Sequence, residues 1–235
     1  MEQFTYKPIY KEEGRRILEL NILPEKYCNF DCVFCPIGRS AHKPDDTVEF
    51  EPVTSALQNL KEQIRRENPD LVFINSKGEA LIHNQITDII GCIHQEEKPV
   101  RLLSNGYLLG REKFGAIANL CEEIVAEIKT VRDQDFKKLQ RPVFGYCLEE
   151  YVENLVSFRQ QYQGKFLFEI TIVKKYNDDP QSIQWLMDTA ARINPDRLMI
   201  VELDGEKVRK TLGVGEERLE EIRRQFSKQS FRVVF

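Results

Sequence analysis

The chain has 235 residues, 41% of them hydrophobic, and its 34 lysines and arginines against 38 aspartates and glutamates give a formal net charge of −4. This length is enough for one large domain with a buried core, and the acidic balance excludes a general attraction to nucleic acid or anionic lipid, leaving only local basic patches. No apolar run approaches the roughly 20 residues of a membrane helix and the N-terminus lacks a secretory signal, so we expect a soluble, cytoplasmic protein.

Apolar runs alternate along the chain with longer helical patterns, which is typical of consecutive β-α units that build a parallel sheet. In chain order the predicted elements are strand Ile17–Leu23, helix Pro52–Arg66, strand Leu71–Asn75, helix Ile82–His94, strand Pro99–Ser104, helix Arg111–Leu120, strand Glu123–Lys129, helix Leu148–Gln161, strand Lys165–Val173, helix Pro180–Ile193, strand Arg197–Leu203, helix Glu216–Gln225 and strand Phe231–Val234. Six β-α units without a repeat or linker predict one α/β domain, a partial (βα)6 TIM-like barrel. Such folds place ligand sites at the carboxyl ends of the strands.

Three cysteines follow the first predicted strand in the string CNFDCVFC. Cys28, Cys32 and Cys35 have the spacing C-x3-C-x2-C. A 4Fe-4S cluster normally takes four cysteine ligands, so three thiolates would leave one iron free to bind another molecule. The loop follows a strand at its carboxyl end, which agrees with a ligand site.

Other interpretations of the cysteines remain open. Tetrahedral zinc also uses closely spaced thiolates, and His42 is the nearest candidate for a fourth ligand. The three thiols could also be unliganded. The remaining cysteines lie far apart in the sequence and are predicted to be buried thiols that pack as small hydrophobic side chains: Cys92, Cys121 and Cys147.

The cysteine string, with Phe34 before its last cysteine, resembles the signature of the radical SAM superfamily. Five segments are similar, in order and spacing, to the small Fe-S oxidoreductase branch related to wyosine-forming tRNA enzymes: LNILPEKYCNFDCVFCPIGRS, INSKGEALIHN, LLSNGYLL, FKKLQRP and IVKKYNDDP. The resemblance covers about Asn21 to Leu203. It implies a single domain over residues 1–235 of the radical SAM core type, with its core at about 16–204 and a C-terminal helix and short strand at 205–235.

The resemblance also implies the cofactors. Cys28, Cys32 and Cys35 would bind three irons of a 4Fe-4S cluster, and S-adenosyl-L-methionine would bind the fourth through its amino and carboxylate groups. Phe34 would pack near the adenine, or else fill the core below the loop.

Two further segments match the family's cofactor-binding motifs in part. Gly78 and Glu79 correspond to the second glycine and the glutamate of a Gly-Gly-Glu-Pro segment that binds the methionine amino group, and Lys77 and Ala80 depart from it. A glycine there would let the backbone approach a ligand. A plain loop between strand and helix is the alternative.

Ser104 and Asn105 stand where related enzymes carry Ser-Asn-Gly or Thr-Asn-Gly near the methionine carboxylate. Asn-Gly is also a common turn sequence, so turn formation alone would explain the segment as well. We predict that both side chains contact the cofactor.

Charged and polar residues interrupt the later apolar strands. Glu127 and Lys129 share one face of their strand by its period of two. Burying such groups is costly unless they are paired or functional, so we expect a polar lumen for the cofactor ribose and the substrate, with a solvated face as the alternative. Lys129 replaces an acidic or small polar residue of the related branch. The lumen candidates are Glu127, Glu169, Thr171, Glu202, Lys129 and Lys174.

The implied function is that of a radical SAM enzyme, which reductively cleaves S-adenosylmethionine to a 5′-deoxyadenosyl radical for hydrogen abstraction from an unidentified substrate. The expected partner is an electron donor of the flavodoxin or ferredoxin type. The alternatives are an iron-sulfur electron-transfer protein and a zinc-stabilised binding protein, neither of which would cleave S-adenosylmethionine.

The substrate class rests on weaker signals. The related tRNA enzymes suggest RNA, but the basic patches are small and scattered: Arg15-Arg16, Lys137-Lys138 with Arg141, and Lys174-Lys175. Phosphate contact needs clustered lysine and arginine. We therefore expect a small-molecule or peptide substrate, with tRNA base modification as the alternative, and neither DNA nor a membrane as partner.

Overall fold

A computed structural model describes residues 4–227 and 233–234 of the chain. Its strands are β1 Thr5–Tyr6, β2 Tyr10–Glu12, β3 Arg15–Asn21, β4 Leu71–Ile74, β5 Val100–Leu103, β6 Glu123–Ile128, β7 Lys165–Ile172, β8 Arg197–Glu202 and β9 Val233–Val234. Its α-helices are α1 Thr54–Glu67, α2 Ile86–Gln95, α3 Glu112–Ala118, α4 Asp133–Asp135, α5 Leu148–Gln161, α6 Pro180–Ile193, α7 Glu206–Leu212 and α8 Glu216–Phe226. Two 3-10 turns and a π-helical turn complete the elements: Ala80–Ile82, Tyr107–Gly110 and Phe136–Gln140.

The strands form one sheet in which β3 to β9 lie side by side in chain order and run parallel. Strands β1 and β2 pair antiparallel with β3 at one edge. The described strands therefore form an open, partial TIM-like barrel, and the predicted fold class is confirmed. Parallel order places the carboxyl ends of β3 to β8 at one end of the sheet.

The described elements differ from the predicted ones in several places. The short strands β1 and β2 and the helices α4 and α7 were not predicted, because each is too short to show a period. The helix predicted from Ile82 instead begins at Ile86, after a 3-10 turn that the side chain of Glu79 caps. Residues 231–232 of the last predicted strand lie outside the described residues.

The core lies between the sheet and its helices. The strands are buried along most of their length, as expected for parallel strands covered on both faces. A second apolar cluster lies at the carboxyl ends and consists of Phe34, Leu139, Val173 and Leu203, with Val208 and Leu212 of α7 packed against it.

Paired charges fill the amino end of the barrel. The guanidinium of Arg101, which is 3% exposed, lies 2.6 Å from carboxylate oxygens of Glu12 and Glu123. Arg15 contacts Glu123 at 2.8 Å. A buried cation needs such partners, and the three carboxylate contacts satisfy the buried guanidinium and its neighbour at this end.

Within the described residues, no helix is both long enough and apolar enough to cross a membrane.

Candidate functional site

The three clustered cysteines lie on the loop that follows β3. All three are free, half-buried thiols. The Cys28 N–H donates to the carbonyl of His42 at 3.2 Å, and the Cys35 N–H donates to the carbonyl of Cys32 at 3.2 Å. These bonds turn the loop back on itself and fix the backbone that carries the three cysteines.

A second segment supports this loop from one side. The Val33 N–H donates to the carbonyl of Leu139 at 2.8 Å, and the Asp31 N–H donates to that of Gln140 at 3.0 Å. The Val143 N–H donates in turn to the carbonyl of Asn29 at 2.9 Å. The FKKLQRP segment thus runs along the cysteine loop as an antiparallel partner, a role that its sequence alone did not indicate.

Burial controls the protonation of the cysteines. Burial raises the pKa of Cys28 to about 12, with a contribution from the carboxylate of Glu79, whereas Lys26 lowers it. Burial likewise raises the pKa of Cys32 well above its usual value, and the ammonium of Lys129 opposes this shift. Cys28 and Cys32 are therefore neutral thiols without a metal, and metal binding would release their protons.

His42 does not supply a fourth ligand for the zinc alternative. Its ring stacks on Tyr27 with centroids 4.3 Å apart, and its Nε2 lies 3.2 Å from Glu25. Among the described residues, no three His, Cys, Asp or Glu side chains are grouped around one metal position. The ligands of a 4Fe-4S cluster bind different irons, so they need not converge on one point.

A cavity of about 560 Å³ opens at the carboxyl ends of the strands. Most of the predicted site residues lie on the cavity wall. Glu79, Ser104 and Lys174 do not. The wall residues among the predicted ones are Cys28, Cys32, Cys35, Phe34, Gly78, Asn105, Glu127, Lys129, Glu169, Thr171 and Glu202.

Gly78 lines the cavity, and its lack of a side chain also allows a close contact within the protein. A Cβ built on Gly78 would lie 1.8 Å from the carbonyl oxygen of Tyr27, which is backbone of the cysteine loop and not a ligand position. The next residue, Glu79, donates its N–H to the same oxygen at 2.9 Å. The glycine therefore lets the end of β4 lie directly against the cysteine loop.

Glu79 lies wholly buried behind the cavity wall. One carboxylate oxygen accepts from the N–H of Leu81 at 3.2 Å, and the other accepts from the hydroxyl of Ser104 at 3.0 Å and from the N–H of Asn105 at 2.9 Å. Burial raises the pKa of Glu79 to about 7, and the three donors act in the opposite direction. The carboxylate thus joins the end of β4 to the end of β5 and holds Asn105 in place.

Replacing Glu79 with Gln should reduce the free energy of unfolding by about 1–3 kcal/mol, because an amide cannot accept from all three donors. The loss should depend on pH. The carboxyl has a pKa of about 7 when folded and 4.5 as its ordinary value, so the folded wild type binds more protons between these values and loses stability as the pH rises through them. Gln does not titrate, so the gap between the two proteins should narrow over this interval.

Denaturant unfolding of both proteins at a series of pH values measures this gap. A gap that stays constant between pH 4.5 and about 7 would show that Glu79 is not held with a raised pKa.

Asn105 begins a turn and also lies on the cavity wall. Its Nδ2 donates to Asn29 at 2.6 Å and lies 3.7 Å from the sulfur of Cys28. Its side-chain oxygen accepts from the N–H of Tyr107 at 3.1 Å, and Gly106 adopts φ +89°, a left-handed conformation that glycine favours. The segment is therefore a turn whose first side chain reaches the cysteine loop and the cavity.

One part of the cavity wall carries three charged side chains close together: Glu127, Lys129 and Glu169. Glu127 and Lys129 form an ion pair, and Glu127 is in register with Glu169 on the neighbouring strand. Burial would lower the pKa of Lys129, but the carboxylates of Glu127 and Glu169 raise it, so the lysine stays protonated. Burial raises the pKa of Glu169, against the attraction of Lys129. Glu127 on β6 and Lys129 just after it both face the cavity, as the period of the strand predicted.

Buried side chains fix the backbone of this wall. The hydroxyl of Tyr151, on α5, lies within hydrogen-bond distance of the carbonyls of Asn105 and Glu127. The side-chain N–H groups of Asn177 donate to the carbonyl of Lys129 at 3.0 Å and to that of Thr171 at 2.8 Å. The ends of β5, β6 and β7 are therefore held at fixed positions around the cavity.

Phe34 is 2% exposed and belongs to the apolar cluster at the strand ends while also lining the cavity. It therefore fills the core below the loop and presents an apolar surface to the cavity. The carboxylate of Glu202 lies close to Gly213: a Cβ added to this glycine would be 2.6 Å from the Oε1 atom of Glu202.

Several residues of the cavity wall, among them Glu19 and Lys26, were not predicted from the sequence. Glu19 of β3 is paired with Lys7 at 2.5 Å and accepts from Asn75 at 2.9 Å. Lys26 is 8% exposed and contacts the carbonyl of Gly38 beside the cysteines. Glu19 could have been found, because it is the carboxylate within the first apolar strand.

Comparison with protein families places this arrangement in a known group. The sequence model described as "Radical SAM superfamily" matches residues 22–186. The chain is 21% identical over 199 residues to a protein named GTPase Obg of Brachyspira hyodysenteriae, covering 84% of this chain and 29% of that protein. It is 22% identical over 205 residues to a UPF0026 protein of Helicobacter pylori, covering 85% of this chain and 66% of the other. The chain thus spans less than two thirds of these relatives.

Solved structures share the fold at low identity. The structure of TYW1 with a lysine-pyruvate adduct bound superposes with a TM-score of 0.69 at 13% identity, covering 93% of this chain and 75% of that one. Streptococcus suis SuiB bound to S-adenosylmethionine superposes with a TM-score of 0.66 at 14% identity, covering 90% of this chain and 48% of that one. These likenesses extend over nearly the whole partial barrel.

Proposed function

The chain belongs to the radical SAM superfamily, and from this premise we propose that Cys28, Cys32 and Cys35 bind a 4Fe-4S cluster and that the protein reductively cleaves S-adenosyl-L-methionine. Enzymes of this superfamily use a 4Fe-4S cluster and S-adenosyl-L-methionine in radical reactions. The observation that supports the proposal is the placement of three free thiols on one loop at the edge of a cavity of about 560 Å³. This volume is typical of small-molecule sites.

The residues present suit the cluster. Thiolates are the usual ligands of iron in such clusters, and three of them leave one iron for another ligand. The N–H of Phe30 donates to the sulfur of Cys28 at 3.4 Å, and the side-chain amide of Asn105 lies 3.7 Å from that sulfur. Hydrogen bonds to cluster sulfurs tune the reduction potential.

Held by Cys28, Cys32 and Cys35, a 4Fe-4S cluster would supply the electron for reductive cleavage of S-adenosylmethionine and thereby the radical chemistry of hydrogen abstraction from the substrate. The residues of the chain bind and orient the cofactor and the substrate, and they exclude water. Phe34 offers the apolar contact for the adenine, and Glu79 and Ser104 position Asn105 from behind the wall. The polar side chains available to the ribose and methionine groups are Asn105, Glu127, Glu169 and Thr171.

The substrate that we propose is a small molecule or a peptide side chain. The cavity must hold the cofactor as well as the reacting part of the substrate, so the bulk of a larger substrate would stay outside it. Its wall carries carboxylates and ammonium groups together, which favours a polar substrate. The tRNA alternative predicts that added tRNA stimulates cleavage of the cofactor.

Anaerobic reconstitution with iron and sulfide, followed by dithionite and S-adenosylmethionine, should yield 5′-deoxyadenosine and methionine, measured by liquid chromatography with mass spectrometry. The expected ratio of the two products is one to one, because both come from the same bond cleavage. Protein without added iron should give neither product.

Two results would contradict the proposal. A reducible cluster without cleavage of the cofactor would indicate an iron-sulfur electron-transfer protein. A colourless protein that binds zinc and takes up no iron would indicate the zinc-stabilised alternative.

A further inference from the structure

Three large hydrophobic side chains stand exposed beside the cysteines. Val33 is 38% exposed, Ile37 is 50% exposed and Phe144 is fully exposed. Within the described part of the chain, one other large hydrophobic side chain is comparably exposed, Leu120, and it precedes β6 at the opposite end of the barrel. Exposed apolar side chains concentrated in one place mark an interaction site.

Hydrogen bonds place these side chains on adjoining backbone. Val33 lies between Cys32 and Cys35 in sequence and donates its N–H to the carbonyl of Leu139 at 2.8 Å. Phe30 and Pro142 form an antiparallel bridge, two residues before Phe144. The exposed apolar groups therefore lie on the two paired segments that form the cysteine loop and its support.

The same two segments are basic in an otherwise acidic protein. Residues 24–43 and 136–146 contain six lysines and arginines and two carboxylates, whereas the whole chain has a net charge of −4. One of these carboxylates, Asp31, is buried and paired with Arg39 at 2.8 Å. Lys138 is exposed, with its ammonium 5.3 Å from the ring of Tyr176, and Arg141 is half-buried.

We propose that this surface is the docking site of the protein that reduces the cluster, a small acidic one-electron donor with a flavin or iron-sulfur group. We call it the cysteine-side surface, formed by Val33, Ile37, Phe144, Lys138 and Arg141. The proposal rests on the proposed function. One electron leaves the reduced donor and reaches the cluster, the donor is oxidised by one electron, and no atom passes between the two proteins.

An apolar centre with a charged rim is the usual composition of a transient protein interface, and a basic rim attracts an acidic partner. RNA fits less well. A phosphate backbone would pair with the basic side chains. The apolar side chains of Val33 and Ile37, however, offer no hydrogen bond to the polar groups of the RNA that would lie against them. Position also favours the donor, since electron transfer requires close approach to the cysteines.

Reduction of the reconstituted protein by reduced flavodoxin, followed by stopped-flow absorbance, tests the proposal. In the double variant Phe144→Ser with Lys138→Glu, the second-order rate constant should fall at least about tenfold, because both the apolar contact and the charge attraction are lost. High salt should slow the wild-type reaction. Dithionite is a small reductant that needs no docking surface, so it should reduce the variant and the wild type at the same rate.

The matched control is the double variant Leu120→Ser with Lys11→Glu, which makes the same changes at the amino end of the barrel and should react as the wild type does. Equal flavodoxin rates in the wild type and the Phe144 variant would overturn the proposal. So would loss of tRNA binding in that variant with unchanged reduction, a result that assigns the surface to RNA. A wild type without any dithionite-reducible cluster would refute the proposed function itself.

Discussion

Cys28→Ala, Cys32→Ala and Cys35→Ala should each give a folded protein that holds no stable iron-sulfur cluster. Each substitution leaves two thiolates for four irons, and with one iron already open to an external ligand the cluster would lack half of its ligands. Iron and acid-labile sulfide content after anaerobic reconstitution measures the loss. Because the three thiols are only half-buried and form no disulfide, thermal unfolding of the apo-proteins should change little.

The other three cysteines provide matched controls. Cys92 and Cys121 are buried in the core, and Cys147 precedes α5 with its N–H bonded to the hydroxyl of Tyr107 at 3.2 Å. None of them lies on the cavity wall. Their alanine variants should retain the iron and sulfide content of the wild type, and loss of the cluster in any one of them would show that the ligands are wrongly assigned.

Gly78→Ala should lower the free energy of unfolding by about 3 kcal/mol, at the upper end for overpacking, because the new Cβ meets backbone and not a flexible side chain. The clash is with the carbonyl of Tyr27, 1.8 Å from the Cβ position, so relief requires the cysteine loop to move away from β4. Displacing Tyr27 also displaces Cys28. Iron uptake should therefore fall together with stability, as measured by reconstitution and denaturant unfolding.

Gly91→Ala is the control for this substitution. Gly91 lies within α2, and a Cβ there would meet nothing within 4 Å. Alanine in a helix interior is more favourable than glycine by about 1 kcal/mol, so this variant should be slightly more stable than the wild type. If Gly78→Ala retained wild-type stability and iron uptake, the close approach of β4 to the cysteine loop would not be needed.

Much of the fold was predictable from local patterns. The strands β3 to β8 were predicted within a few residues, since parallel buried strands appear as apolar runs between amphipathic helices. The strands β1 and β2 and the helix α7 were missed, because they are too short to show a period and are stabilised by contacts with other parts of the chain. Both strands pair with β3, and Leu212 of α7 packs against the apolar cluster at the strand ends.

The candidate site was predictable to a lesser degree. The spacing of Cys28, Cys32 and Cys35 is a local feature, and so is the alternation that put Glu127 and Lys129 on one face. Glu79 was predicted to contact the cofactor, but the structure places it behind the wall with all its hydrogen bonds made to the protein. The order of the strands indicated that the ends of β4 and β5 lie near each other, but not that the carboxylate of Glu79 would accept hydrogen bonds from Ser104 and Asn105, just after β5.

By itself, therefore, the sequence determined the β-α order, the position of three thiols after the first parallel strand and the family to which these motifs belong. The tertiary structure decided which residues reach the cavity, that Gly78 packs on Tyr27, and that the segment from Leu139 to Val143 holds the cysteine loop. The reason is physical: periodicity and spacing depend on neighbours along the chain, whereas close packing and buried hydrogen bonds depend on groups far apart in sequence that folding brings together.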